Sequence, residues 1–167
     1  MEIKGIVAED FLQYKDPCLV VLFPNCTFKC DKGCGMQVCQ NSKLALAPSI
    51  NVSENTIVSR YIDNPITRAI CFAGLEPFDS FDDVLSLTKA LRAKTDDTIV
   101  IYTGYCKNEI PDQVEQLKEY PNIIIKFGRF VPIPDPSNTN GYVTASHMDP
   151  VLGINLSSEN QYAEKIS

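Results

Sequence analysis

Four strand-length apolar runs divide the chain: Cys18-Leu19-Val20-Val21-Leu22-Phe23, Thr67-Arg68-Ala69-Ile70-Cys71-Phe72-Ala73, Thr98-Ile99-Val100-Ile101-Tyr102 and Asn122-Ile123-Ile124-Ile125-Lys126-Phe127. Runs of this length without polar alternation belong to strands buried on both faces. Segments with helical spacing lie between them. Ser53 stands at the cap of a helix that places Ile57, Val58, Tyr61 and Ile62 on one face and ends before Pro65. Ser80, with Asp83 three residues on, resembles a capping box, and Val84, Leu85, Thr88 and Leu91 recur behind it. A third helix around residues 110–119 turns Ile110, Val114 and Leu117 inward. Repeated strand, helix, strand implies right-handed βαβ units and parallel strands. The expected fold class is α/β: a partial, open α/β barrel with a mostly parallel sheet of four to six strands. The lead-in before residue 18 is expected as an edge strand and Tyr142-Val143-Thr144-Ala145 as one further strand.

A length of 167 residues suits one domain, and residues 1–167 read as a single unit. Net charge is -6, and the 15 Lys and Arg residues are scattered, so nothing resembles a nucleic-acid footprint. No apolar run approaches ~20 residues, and no basic segment followed by an apolar stretch opens the chain. The expected location is therefore the cytoplasm, with no membrane partner. Neither a P-loop nor Gly-x-Gly-x-x-Gly is present.

There are 7 cysteines, an odd number that argues against a secreted disulfide framework and for metal binding or catalysis. Cys26, Cys30, Cys34 and Cys39 crowd into residues 24–41, a segment with no regular period that is expected to be a long ordered loop. It follows the first buried strand, where parallel α/β sheets place their ligands. Thiolates ligate iron and zinc alike, so a structural zinc site using all four sulfurs competes with an iron–sulfur centre. A helix burying Cys26, Cys30 and Cys34 on one face is disfavoured by Gly33 and Gly35. Cys18 and Cys71 lie inside apolar runs and are expected to be inert buried thiols. Cys106 reads as a spectator near the site, and His147, the only histidine, as a surface residue.

Cys26-Thr27-Phe28-Lys29-Cys30, followed by Cys39-Gln40-Asn41-Ser42, resembles the cluster loop of the activating proteins of anaerobic ribonucleotide reductases, in the radical S-adenosylmethionine superfamily. Phe72-Ala73-Gly74-Leu75-Glu76-Pro77 is similar to the superfamily's Gly-Gly-Glu-Pro segment. Tyr102-Thr103-Gly104-Tyr105, Phe127-Gly128-Arg129-Phe130 and Ser157-Ser158-Glu159-Asn160-Gln161 resemble later segments of these proteins in the same order, so the likeness covers most of residues 15–163. The chain also departs from the pattern. Eight residues separate Cys30 from Cys39 where the family has two, which makes residues 31–36 an insertion carrying Cys34. Val38 stands where an aromatic residue is usual, Leu75 replaces a Gly, and Phe127 replaces an Asp.

The resemblance implies a [4Fe–4S] cluster on Cys26, Cys30 and Cys39, with Cys34 as the alternative third ligand. It also implies S-adenosylmethionine bound near Val38, Gln40, Gly74, Glu76, Thr103 and Gly104, its amino and carboxylate groups on the iron left without a cysteine. The implied activity is reductive cleavage of S-adenosylmethionine to a 5'-deoxyadenosyl radical, which generates a glycyl radical on an anaerobic ribonucleotide reductase. The implied partners are that large glycyl-radical protein and an electron donor such as flavodoxin or ferredoxin. A radical enzyme acting on another peptide or small molecule, and a non-enzymatic zinc or iron–sulfur module, are the alternatives.

Overall fold

The computed structural model describes residues 1–167. Its main elements, in chain order, are β1 (Gly5–Asp10), β2 (Cys18–Phe23), α1 (Lys29–Cys34), α2 (Ser42–Leu46), α3 (Glu54–Ile62) and β3 (Ala69–Gly74). They continue as α4 (Phe81–Arg92), β4 (Thr98–Tyr102), α5 (Pro111–Leu117), β5 (Ile123–Phe127) and β6 (Tyr162–Lys165). One six-stranded sheet has the order β6-β5-β4-β3-β2-β1. The four strands read from the apolar runs, β2 to β5, are mutually parallel, and β1 and β6 close the two edges in antiparallel pairing. The sheet is mixed α/β, mostly parallel and open, with no closure into a complete barrel.

Side chains alternate across these strands with period two. Leu19, Val21, Ile70, Phe72, Ile99 and Ile125 face the helices and pack with Ile57, Tyr61, Val84, Leu87, Leu91 and Val114. On the opposite face Cys18, Val20, Cys71, Val100 and Ile124 are covered by Tyr14, in the loop before β2, and by Ile154 and Leu156, at a short ribbon in which Asn155–Leu156 pairs with His147–Met148. Tyr14 and Ile154 form a β-bridge. Cys18 and Cys71 are both fully buried, with the Cys71 thiol 3.0 Å from Cys18 Sγ. This cover stops short of the carboxyl ends of the strands, so Leu22, Ala73, Tyr102 and Lys126 look into a cavity there.

Several sequence expectations need correction. The segment 24–41 is not wholly loop: α1 occupies Lys29–Cys34 despite Gly33. It is a short helix, and Gly35 at φ 65 supplies the left-handed residue that ends it. Ser80 precedes α4 without a side-chain cap hydrogen bond, because a 3-10 turn at Pro77–Ser80 leads into the helix and Ser80 Oγ instead accepts from Asn25 Nδ2 at 2.9 Å. Ile62 is 48% exposed, at the end of α3 where the inward stripe has rotated away. In α4 the buried set is Val84, Leu87, Thr88 and Leu91, while Leu85 is only partly covered. Tyr142–Val143 pairs with Ile133–Pro134 in a small separate ribbon, and the last sheet strand is β6, which the sequence reading left out. Ser53 does cap α3, accepting from Thr56 N at 3.2 Å.

The phase of α4 is open to a direct test. Leu87→Ala removes a fully buried side chain and should cost ~2–5 kcal/mol in urea unfolding, whereas Leu85→Ala should cost clearly less. Equal costs would show that the helix presents a different face to the sheet.

Candidate metal centre

The site is assembled from the chain segments that leave β2, β3, β4 and β5. After β2, Pro24 ends the strand and the chain turns so that Cys26 Sγ accepts a hydrogen bond from Phe28 N at 3.2 Å. Phe28 adopts a left-handed conformation, φ 52, at the start of α1. Cys30, on α1, accepts from Phe130 N at 3.3 Å, which ties the helix to the segment beyond β5. Arg129 grips Glu109 through two hydrogen bonds of 2.9 and 2.6 Å and holds the Glu109 carboxyl down at about 2. Lys29 of α1 lies 3.9 Å from the same carboxylate and 3.8 Å from the centre of the Tyr105 ring.

Asp31 closes the insertion, its Oδ1 accepting from Val38 N at 2.8 Å and Cys39 N at 2.7 Å. This brings Cys39 back toward the strand ends. Two residues on, Asn41 Nδ2 donates to the Gly74 carbonyl at 2.7 Å. Gly74 has φ 95, and a Cβ there would stand 2.7 Å from Phe23 N and 2.8 Å from Leu22 Cα. Only glycine allows β3 to lie this close to β2 at its end.

Cys26, Cys30 and Cys39 line one cavity of about 380 Å³. So do Gln40, Gly74, Glu76, Thr103 and Gly104 among the residues singled out from the sequence. Two singled-out residues do not. Cys34 points its sulfur at the Phe130 carbonyl, 3.9 Å away, and Val38 is buried in the core at 1% exposure. Cys106 is also outside the lining, within 3.7 Å of Arg129 Nη1, and His147 is exposed.

Glu76 is almost wholly buried and both of its carboxylate oxygens are engaged. Oε1 accepts from Thr103 Oγ1 at 2.7 Å and Phe78 N at 3.1 Å, and Oε2 accepts from Gly104 N at 2.8 Å. Burial pushes the carboxyl up to about 7, against the pull of these donors. Its role in this structure is to brace the loops. The segment near the carboxyl end is braced in a similar way, with Gln161 Oε1 accepting from Ser157 N and Ser158 N while its Nε2 donates to the Gly128 carbonyl.

The sequence reading missed Lys126, a residue of β5 that lines the cavity at 7% exposure and is pushed down to about 8 by burial. An isolated charge in a run of isoleucines was the available signal. It also missed Asp31 and the wall formed by Ser146 and Asn155, for which no local pattern exists.

Burial raises all three cavity thiols, Cys26 to about 12, so ligation here would displace protons from sulfur. No three His, Cys, Asp or Glu side chains are grouped closely enough to hold a single metal ion. The donor set is soft thiolate, and backbone N–H groups are aimed at two of the sulfurs. Gly104 leaves room beside the third strand-end loop: a Cβ there would lie 3.5 Å from Cys30 Sγ and 3.4 Å from Glu76 Oε2. These residues fit an iron–sulfur cluster.

The comparisons agree with that chemistry. The chain belongs to the family described as the 4Fe-4S single cluster domain, whose sequence model matches residues 17–141. It is thus an iron–sulfur protein, and the match takes in the cysteine segment and β2 to β5. No curated protein and no solved structure matches the chain. No helix is long and apolar enough to cross a membrane.

The Glu76 carboxyl sets a pH dependence. Its folded value of about 7 lies above the ~4.3 of an unfolded glutamate. Its contribution to stability is therefore fully present below about pH 4.3 and is lost as the pH rises through about 7. The stability difference between wild type and Glu76→Gln should shift by on the order of 2 kcal/mol in favour of the variant from pH 5 to pH 8, read from urea midpoints. A difference that is constant across this range would mean that the carboxyl titrates normally.

Proposed function

We propose that this iron–sulfur protein is a radical S-adenosylmethionine enzyme whose cluster is held by Cys26, Cys30 and Cys39. The observation that carries the reading is the shared cavity: three cysteines and the strand-end segments Gly74–Glu76 and Thr103–Gly104 line one space of about 380 Å³, within the usual range of a cofactor pocket. When bound, a [4Fe–4S] cluster and S-adenosylmethionine together supply one-electron cleavage of a sulfonium to methionine and a 5'-deoxyadenosyl radical.

This chain's residues contribute placement. Phe28 N and Phe130 N orient the sulfurs of Cys26 and Cys30, and Asp31 returns Cys39 to the cavity. Glu76 holds the Gly104 backbone in position without spending an oxygen on a ligand. Gly74 and Leu75 line the cavity with a backbone that Asn41 anchors from the cluster loop. Leu22 and Ala73 give the inner wall an apolar surface that limits water beside a reactive species.

The reading extends to a glycyl-radical protein as the substrate, an anaerobic ribonucleotide reductase above all, with flavodoxin or ferredoxin as the source of electrons. The cavity volume supports a protein substrate, since S-adenosylmethionine alone would take up most of it. A radical enzyme acting on another peptide is the second reading, favoured by the departures at Val38, Leu75 and Phe127.

Anaerobic reconstitution followed by iron and sulfide analysis, and assay of 5'-deoxyadenosine after reduction, tests the proposal. Wild type should hold a four-iron cluster and release 5'-deoxyadenosine. Cys39→Ala should lose the cluster and the product, while Cys34→Ala keeps both. Zinc bound in place of iron, with no cleavage product, would remove the basis for the radical reading.

A further inference from the structure

Lys126 is the one cationic side chain among the residues that line the cavity. It comes from β5, where its backbone pairs with Tyr102 of β4 and its carbonyl accepts from Thr103 N at 2.9 Å. Alternation along β5 sends Ile125 and Phe127 to the helix-covered core and Lys126 to the other face, with its ammonium 5.7 Å from the centre of the Tyr102 ring. At 7% exposure it makes no side-chain hydrogen bond and no salt bridge. The two acidic residues of the cavity are occupied elsewhere. Asp10 Oδ1 accepts from Leu12 N and Gln13 N, and Glu76 is saturated by Phe78, Thr103 and Gly104.

An ammonium largely withdrawn from bulk water, with no hydrogen-bond partner in the protein, is costly to keep. It becomes favourable when an anionic centre shares its cavity. Cys26, Cys30 and Cys39 line the same cavity as Lys126, so the ammonium faces the space that the cluster ligands share. Three thiolates outweigh the charge of an oxidised cubane core, so the cluster site is a net negative centre that gains one further negative charge on reduction.

We propose that Lys126 is the buried countercharge of the iron–sulfur centre, a positioning residue that favours the reduced cluster and so raises its reduction potential. The inference rests on ligation by Cys26, Cys30 and Cys39, and it is independent of any reaction with S-adenosylmethionine. The step concerned is uptake of one electron from a low-potential donor, with no bond made or broken. Water screens a buried charge poorly, so a single cation here acts on the cluster more strongly than any of the surface lysines.

The test compares wild type, Lys126→Met and Lys126→Arg after anaerobic reconstitution to equal iron content, without S-adenosylmethionine. Midpoint potentials are read by spectroscopically monitored titration with dithionite. Lys126→Met should shift the midpoint to more negative potential, and Lys126→Arg should return it close to wild type. If Lys126→Met does not retain a cluster, Lys126→Gln replaces it with the same sign expected. Equal midpoints in wild type and the neutral variant would overturn the proposal. So would weakened binding of S-adenosylmethionine in the neutral variant with the midpoint unchanged, since Lys126 would then be a receptor for the cofactor's carboxylate. A midpoint shift in a protein that releases no 5'-deoxyadenosine would leave this inference standing and remove the radical reading. A wild-type protein unable to form a cluster would remove both.

Discussion

One buried carboxylate joins the segments on which the site is built. Glu76 binds the turn that follows β3 through Phe78 N and the loop that follows β4 through Thr103 and Gly104, while its own backbone N–H donates to the Asn25 carbonyl in the loop that follows β2 at 2.7 Å. Phe78, Thr103 and Gly104 all donate to the carboxylate, which is why the group can be buried at all. Its burial in turn makes the bonds strong, because water does not compete for the same oxygens. Three strand ends that could otherwise move separately are therefore coupled through one side chain.

The cysteine segment uses that rigidity without being rigid by itself. It contains a six-residue helix with no buried residue, too short to be stable alone. Its order comes from contacts at both ends: the Phe130 N–H on Cys30, the Arg129–Glu109 pair beneath α1, and the Asp31 carboxylate that collects Val38 and Cys39. Packing thus substitutes for helix propensity, and the thiols are held at a cavity edge, where burial keeps them protonated until a metal displaces the protons. The same low polarity gives Lys126 its leverage. Function and fold share a single device, a polar group withdrawn from water and then supplied with partners.

Much of the scaffold was legible because its signals are local. The runs at Leu19, Ile70, Ile99 and Ile123 are continuous and apolar, and a strand buried on both faces has to look like that. The helix at Ser53 was legible through its cap. What failed failed for tertiary reasons. Ser80 has the composition of a cap, but its oxygen accepts from Asn25 Nδ2, and Leu85 fits a helical stripe that the sheet meets two residues later, at Leu87. β6 is exposed along much of its length and polar, an edge strand recruited by its pairing with β5.

At the site, the sequence by itself determined which chemistry is available: closely spaced thiols following a buried strand, with glycines where strands end, since residue type and order carry that information directly. Only the tertiary structure decided how those groups are shared out. Cys39 reaches the cavity and Cys34 turns to the Phe130 carbonyl because Asp31 folds the intervening residues back, and nothing in their spacing encodes that contact. Lys126 enters the cavity because strand alternation meets a face that the loop before β2 and the short ribbon leave uncovered. Which face stays open depends on the packing of Tyr14, Ile154 and Leu156, residues far apart along the chain.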